Sequence, residues 1–193
     1  MHATKNLSDE LAAYRDRFAE IRDEAAALID ECSADTFNAA PDPGRWSVGQ
    51  CFEHLIKAGD PLAYAIDEAL TKAETQGPYG DSPFAYGLVS RLFIWSLQPD
   101  APISMPAPGS YTPDDKPLDP AAVRASFVDL QDRFIHCIER APGLDIARIK
   151  VGSPAMSWFR LPVGAWFAAT AAHEQRHLQQ AERALNAVQS STS

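Results

Sequence analysis

The amino-acid sequence predicts an all-α protein, a four-helix bundle with long crossover connections. Four long stretches carry apolar residues at steps of three and four, the spacing that places them on one face of a helix. The sequence shows no convincing strand pair and no glycine-rich phosphate loop. With 193 residues, 46% of them hydrophobic and 22% charged, the chain has an ordinary globular composition. We therefore expect residues 1–193 to form a single four-helix-bundle domain.

The first two long helices are separated by a short connection. The stretch LSDELAAYRDRFAEIRDEAAALIDECS, residues 7–33, predicts one amphipathic helix, with acids and arginines between its apolar positions. Two prolines and a glycine then mark the connection. Ser47 and Gln50 have the Ser-x-x-Gln spacing of a capping box, so the second helix is expected to begin there and to reach about Thr71. Pro61 lacks a backbone donor and is expected to kink or restart it.

The middle of the chain is less regular. The stretch SPFAYGLVSRLFIWSLQP predicts a short, largely buried helix. The stretch that follows, PDAPISMPAPGSYTPDDKPLDP, is dense in proline and predicts a long loop. Loops of this length inside a compact domain are more often functional covers or oligomer contacts than neutral connections.

Two further long helices follow the loop. Asp119 and Pro120 form an N-cap and first-turn pair, and apolar residues at helical spacing then continue to about Pro142. His136 falls off this apolar stripe and is expected at the surface. Pro162 can open the last long helix, which is expected to run to about residue 188.

The charge of the chain restricts its partners. The formal net charge is −9 and the isoelectric point is near 4.9, so nucleic acid and anionic membrane surfaces are disfavoured. The expected partners are a small-molecule substrate and a second copy of the chain in a homodimer. The N-terminus lacks the apolar core of a signal peptide, and the longest apolar run, LPVGAWFAATAA, is too short to span a bilayer. We therefore expect a cytoplasmic protein.

The three cysteines are expected to be buried thiols. Cys32, Cys51 and Cys137 are odd in number and far apart, and none has the spacing of a Cys-x-x-Cys motif. A disulfide framework or a cysteine-based zinc site is therefore not expected.

Three of the five histidines are expected to point into the bundle. His173 and His177 stand four residues apart on the last helix, and such positions differ by only about 40° in direction. His54 lies on or beside the apolar stripe of the second helix. One inward histidine is more often a hydrogen-bonded core residue, but three imidazoles buried without partners are costly. Because Zn²⁺, Ni²⁺ and Fe²⁺ all accept neutral nitrogen ligands, the pattern favours a divalent metal site without choosing the metal.

Two stretches of the sequence resemble the DinB/YfiT-like proteins. WSVGQCFEHLIKA is similar to the Trp-Ser-x6-His-Leu signature of that family, and HEQRHLQQ resembles its closing His-x3-His helix. The order and placement match along nearly the whole chain. The resemblance implies a DinB-like four-helix bundle, often dimeric, in which three histidines bind a divalent metal that keeps open or water-filled positions. Carried onto this sequence, it implies His54, His173 and His177 as the metal ligands.

The resemblance also implies a range of activities. These are metal-dependent hydrolysis, transfer of low-molecular-weight thiols such as bacillithiol or mycothiol, and thiol-dependent isomerisation. Three neutral histidines leave the charge of the ion uncompensated, which makes it a good Lewis acid. We predict a metal-dependent hydrolase or a thiol S-transferase, with a low-molecular-weight thiol as a candidate cosubstrate. The alternative is a non-catalytic, stress-associated protein with a structural or vestigial metal, acting through dimerisation or small-molecule binding.

Nine further residues are candidates for the surroundings of the metal. The residues expected to orient a ligand or a water rather than bind the ion are Gln50, Glu53, Glu174 and Gln180. The residues expected to line a pocket at the mouth of the site are Arg45, Trp46, Trp158, Arg160 and Trp166. The arginines there could bind a carboxylate of a thiol cofactor. No general base is assigned, because adjacent helical residues point about 100° apart and neither glutamate need face the metal.

Overall fold

The protein is all-α, as the sequence predicts. The computed structural model describes residues 6–102, 109–156 and 158–192, and most of these residues are helical. The elements, in chain order, are α1 (Asp9–Asp30), α2 (Ala34–Asn38), α3 (Val48–Gln76), α4 (Leu88–Leu97), a 3-10 turn (Gly109–Tyr111), α5 (Pro120–Arg140), β1 (Lys150–Gly152), β2 (Arg160–Pro162) and α6 (Val163–Thr192). Residues 103–108 of the predicted proline-rich loop lie outside the described residues.

The four long helices α1, α3, α5 and α6 form the bundle. Helix α1 packs mainly against α5 and α6, and α3 packs against the same two helices. The connections from α1 to α3 and from α5 to α6 therefore join helices that are not main neighbours, which makes them the crossovers of the predicted fold. The core between the helices is rich in buried aromatic rings, for example Phe18 stacked on Phe134 with centroids 5.0 Å apart. Burial of each such side chain stabilises the fold by roughly 1.5–3 kcal/mol.

Local capping starts the long helices where the sequence predicts. The N–H of Gln50 donates to Ser47 Oγ at 3.2 Å, and the Ser47 N–H donates to Gln50 Oε1 at 3.1 Å, which completes the capping box of α3. The Asp119 carboxylate accepts from the Ala121 N–H at 3.1 Å, with Pro120 at the first position of α5. Helix α1 ends at Asp30, earlier than the predicted first helix, because Ser33 caps a separate short helix, α2.

Helix α3 does not restart at Pro61, which corrects that part of the expectation. The helix continues through the proline to Gln76, beyond the predicted end near Thr71. Pro61 lies on the exposed face, where water can satisfy the carbonyl that loses its helical donor. The close approach of α5 at Gly59 also holds the helix: a Cβ there would lie 2.6 Å from a methyl carbon of Leu130.

Helix α4 corrects the expectation of a largely buried helix. It lies on the outside of the bundle against α6, and only one of its sides is covered. Four of its apolar residues are exposed, namely Leu88, Val89, Leu92 and Trp95. Apolar residues lie on both the covered and the exposed side of α4, whereas Ser90 is buried, so apolar content alone does not show how much of the helix is covered.

A short antiparallel strand pair, which the sequence did not predict, precedes α6. In β1 and β2, Val151 pairs with Leu161. Each strand has three residues, which is too few to show the alternation of apolar and polar residues that predicts a strand. The pairing continues into the helix start, where the Val163 N–H donates to the Ile149 carbonyl at 2.8 Å. Trp166 Nε1 then donates to the Val151 carbonyl at 3.0 Å. These bonds fix the first turn of α6.

The cysteines form no disulfide bond among the described residues. All three cysteines are free thiols; Cys51 and Cys137 are buried as predicted, whereas Cys32 is only half-buried. His136 is exposed, as predicted. Among the described residues, no helix is both long enough and apolar enough to cross a bilayer.

Candidate metal centre

Three histidines meet where α3 packs against α6. His54 comes from the second turn of α3, and His173 and His177 come from successive turns near the middle of α6. One ligand nitrogen from each of the three rings lies within 4.8 Å of the others. The structure thus brings together the three residues that the sequence selects as metal ligands.

The orientation of His54 is fixed by a backbone carbonyl. His54 Nδ1 lies 2.9 Å from the carbonyl oxygen of Tyr111, at the end of the 3-10 turn. Because a carbonyl oxygen only accepts, Nδ1 carries the proton, and Nε2 of the neutral ring keeps its lone pair. Nε2 lies 3.3 Å from His173 Nε2. The carbonyl therefore selects Nε2 as the ligand atom of His54.

Burial keeps the three imidazoles in the neutral form that binds metals. It lowers the pKa of His54, and burial together with the neighbouring histidines lowers the pKa of His173 well below its usual value. Burial, followed by the proximity of His54, lowers the pKa of His177 to about 3. The Gln180 side chain beside that ring opposes the shift, although no hydrogen bond of ordinary geometry reaches His177 Nδ1. All three rings are neutral at pH 7.

This donor set fits a divalent transition metal. One nitrogen from each of three neutral rings converges on the same place, and the buried nitrogen His177 Nδ1 has no hydrogen-bond partner in the described structure. Zn²⁺, Ni²⁺ and Fe²⁺ prefer such nitrogen ligands. Among the described residues, no fourth side chain joins the histidine group, so an ion held there would keep coordination positions open.

Trp46 covers one side of the histidine group. Its ring centroid lies 4.9 Å from that of His54, and it stacks on His177 at 5.7 Å. The residue directly precedes Ser47, the N-cap of α3. The capping box therefore sets where Trp46 enters the site and keeps an apolar ring against two of the imidazoles.

Side chains on one face of α3 bind the segment from Tyr111 to Asp114, which includes the carbonyl that contacts His54. The Glu53 carboxylate accepts the Asp114 N–H at 2.8 Å, and Gln50 Nε2 donates to the Asp114 carbonyl at 3.3 Å. Lys57 Nζ lies 3.0 Å from the Asp114 carboxylate. These contacts tie the chain just after Tyr111 to α3. Gln50 and Glu53, two of the residues expected to orient a ligand, thus contact the segment that follows the Tyr111 carbonyl and not the His54 ring itself.

The Glu174 carboxyl contacts a buried amide and does not belong to the histidine group. The Glu174 carboxyl is buried and accepts from Gln131 Nε2 of α5 at 3.0 Å. Burial raises its pKa to about 8, so the carboxyl is mostly protonated at pH 7. Sequence reasoning missed Gln131; its one signal is an amide beside the apolar stripe of α5.

The histidines open onto a cavity of about 800 Å³. Of the residues predicted to line a pocket, the structure places Arg45, Trp46 and Trp166 in its wall. It does not place Trp158 or Arg160 there. The Trp158 side chain is 79% exposed, and the Arg160 guanidinium donates to the Lys150 carbonyl at 2.8 Å across the strand pair.

Gln180 also lines the cavity, and two arginines of α6 that sequence reasoning missed join it. They are Arg176 and Arg183. They stand seven residues apart and so lie on nearly the same side of the helix. No local pattern singles them out, because their place in the wall depends on the packing of α6 against α3.

Fold and site together define a class of protein: an all-α bundle in which two neighbouring helices bring three histidines to the wall of a cavity. The model of one family, the DinB superfamily, matches residues 17–181, a range that includes all three histidines. The chain belongs to the DinB superfamily. Searches of curated proteins and of solved structures found no match.

Proposed function

We propose that the protein is a metal-dependent enzyme that acts on a small molecule, either by hydrolysis or by transfer of a low-molecular-weight thiol. One observation carries the proposal: three histidine nitrogens converge on the wall of a large cavity, with no fourth ligand among the described residues. A structural ion usually has four protein ligands, whereas a catalytic ion has three and an open position.

Each part of the site has a role in this proposal. His54, His173 and His177 hold a divalent ion, with Zn²⁺, Ni²⁺ and Fe²⁺ as the candidates. When bound, the ion supplies Lewis-acid chemistry to a water or a thiol. The Tyr111 carbonyl keeps His54 in the tautomer that offers Nε2. Trp46 excludes water from one side of the rings.

The competing function is non-catalytic, with the ion serving structure alone. The cavity argues against it, because a structural ion needs no solvent-connected space of about 800 Å³ beside its ligands. The enzyme proposal is therefore favoured by the shape of the site and not by its donor set alone.

Removal of two ligands tests the proposal. We expect the variant His54→Ala/His177→Ala to lose stoichiometric metal in elemental analysis, because one histidine cannot hold the ion. We further expect the wild-type protein to turn over substrate in one of two parallel screens, thiol transfer to electrophiles or hydrolysis of esters and amides. This turnover should require metal and should be absent from the variant.

His136→Ala is the matched control, since it removes an exposed histidine of α5 outside the histidine group. It should keep metal and turnover. Wild-type metal content in the double variant would end the metal-site hypothesis. Full metal content without turnover in either screen would instead support the non-catalytic function.

A further inference from the structure

The cavity beside the histidines has a positively charged end and an apolar end, and both can be followed along α3. Its wall runs from Arg45, just before the helix, past His54 to Leu62. The step from His54 to Leu62 is eight residues, or about 12 Å of helix. Along this helix the wall therefore begins with a cation, passes a candidate metal ligand and ends on an apolar side chain.

The wall contributed by α6 has the same three parts in the opposite chain order. Trp166 lies in the wall before the histidine pair, and Arg183 lies in it after the pair. Trp166 is seven residues before His173 and Arg183 is six residues after His177, so they lie about 10.5 Å and about 9 Å along the helix from the nearer histidine.

The arginine ends of the two helices coincide. Trp46 stacks on His177 at 5.7 Å, so the start of α3 lies beside the part of α6 that leads to Arg183. Burial raises the pKa of the Cys51 thiol to about 12, and the positive charge of Arg183 opposes this rise. Arg183 therefore lies close to Cys51, in the first turn of α3, at the same end as Arg45.

The opposite end of the cavity is apolar. The rings of Trp166 and Phe93, a residue of α4, meet edge to face with centroids 5.8 Å apart, and both line the cavity. Leu62 of α3 and Leu97 of α4 also line it. These side chains offer little hydrogen bonding, and the nearby Arg176 guanidinium already donates to the Ser96 carbonyl at 3.2 Å, so this end favours the apolar surface of a ligand.

The two end arginines are available to a ligand. Both are exposed, and in the described part of the chain neither Arg45 nor Arg183 forms a side-chain hydrogen bond or ion pair. Other arginines do, for example Arg140 with Glu74 at 2.8 Å. Among the described residues, Glu174 is the only carboxyl group in the wall, and it is buried and hydrogen-bonded. In a chain of net charge −9, this end of the cavity is locally positive.

We propose that the substrate of this site, given the proposed function, is an organic anion with an apolar body. Its anionic group contacts the guanidinium groups of Arg45 and Arg183, which suit a carboxylate. Its apolar part lies against Trp166 and Phe93. The group that reacts lies between these ends, beside the three histidines.

Calorimetric titration of the full chain with three small probes tests this inference. The probes are octanoate, 1-octanol as its neutral counterpart, and butanoate as its short counterpart. Metal-free protein is used first, so that no ion can bind the carboxylate, and zinc-loaded protein second. In metal-free protein, octanoate should bind at least about tenfold more tightly than 1-octanol because of charge-assisted hydrogen bonds. Octanoate should also bind more tightly than butanoate, by about tenfold or more, because its four additional methylene groups are buried.

Substitution of the arginines separates specific from general binding. Arg45→Gln/Arg183→Gln should remove the preference for octanoate over 1-octanol. Arg148→Gln should keep it, since Arg148 is also exposed but lies outside the cavity wall. Equal affinity for octanoate and 1-octanol, or an unchanged double variant, would overturn the anionic end. Equal affinity for octanoate and butanoate would overturn the apolar end.

The proposed function and this inference fail in different experiments. Probe binding to metal-free protein requires neither an ion nor turnover, so it can hold even if the protein binds no metal. Conversely, a protein that holds metal and turns over substrate but does not discriminate among the probes would refute only the substrate class.

Discussion

The chemistry of the site depends on which single nitrogen atoms carry protons. The Tyr111 carbonyl assigns the proton of His54 to Nδ1, and burial keeps His173 and His177 neutral. These two effects are independent, since one is a specific hydrogen bond and the other is desolvation. Together they leave His54 Nε2 as an acceptor and bring three neutral rings to one point without any negatively charged group.

The pair formed by Gln131 and Glu174 is a second feature at the residue scale. Both side chains are at most 1% exposed, and the amide gives the carboxyl its one hydrogen bond in the described structure. We expect Gln131→Leu to lower the free energy of unfolding by about 1–3 kcal/mol, because it leaves a buried carboxyl without a partner. Urea denaturation of metal-free protein at pH 7 measures this change.

A double-mutant cycle provides the control for that prediction. Gln131→Leu/Glu174→Leu removes both polar groups, so its effect should be smaller than the sum of the two single changes. Strict additivity of the three free energies would show that the two side chains do not interact.

At the scale of elements, the contact between α3 and the segment after Tyr111 holds the carbonyl that orients His54, a candidate metal ligand. We expect Glu53→Ala to weaken metal binding by about tenfold or more, because the freed segment no longer holds the Tyr111 carbonyl against His54. The carboxylate itself does not belong to the histidine group. Competition with a chelating dye measures the dissociation constant, and circular dichroism checks that the helices remain.

Glu68→Ala is the matched control for this prediction. Glu68 lies on α3 and is exposed, and its carboxylate accepts from the Tyr64 hydroxyl at 3.0 Å. It stands fourteen residues from His54, about 21 Å along the helix. Its loss should leave the metal affinity unchanged, and an equal effect of both variants would contradict the positioning role of Glu53.

The same elements show what sequence reasoning can reach. The starts of α3 and α5 were predictable because Ser47 and Asp119 cap helices through neighbours three or two residues away. The inward faces of the three histidines were also predictable, since helical spacing fixes direction. The hydrogen bond from His54 to Tyr111 was not predictable, because it joins residues 57 positions apart, with the rest of α3 and all of α4 between them.

The errors in predicting the pocket residues have the same physical cause. Trp158 is exposed in the connection between β1 and β2, and Arg160 in β2 donates to the Lys150 carbonyl, so neither lines the cavity although both lie close in sequence to α6. Arg183 was overlooked because its place at the cavity depends on the packing of α6 against the start of α3. Contacts between distant segments decide both cases, and a local pattern carries no information about them.

At the scale of the whole molecule, the candidate metal centre joins two helices that are far apart in sequence. His54 and His173 are separated by 119 positions and meet only when α3 packs against α6. The unfolded chain therefore has no preformed three-histidine site, and an ion that binds there binds the folded state. Such binding must stabilise the bundle in proportion to its affinity and concentration.

Thermal unfolding with and without added metal measures this coupling. Zinc at 100 times its dissociation constant should add about 2.7 kcal/mol of stability. For a chain of this size that corresponds to a rise in Tm of roughly 5–10 °C. Excess chelator should reverse the rise, and Mg²⁺ should not produce it, because that ion prefers oxygen ligands in octahedral geometry. His136→Ala should respond to zinc as the wild type does, whereas His54→Ala/His177→Ala should not respond. If zinc raised the Tm of the double variant by the same amount, the stabilising ion would bind elsewhere. The bundle would then gain stability although the histidines that join α3 to α6 had been removed.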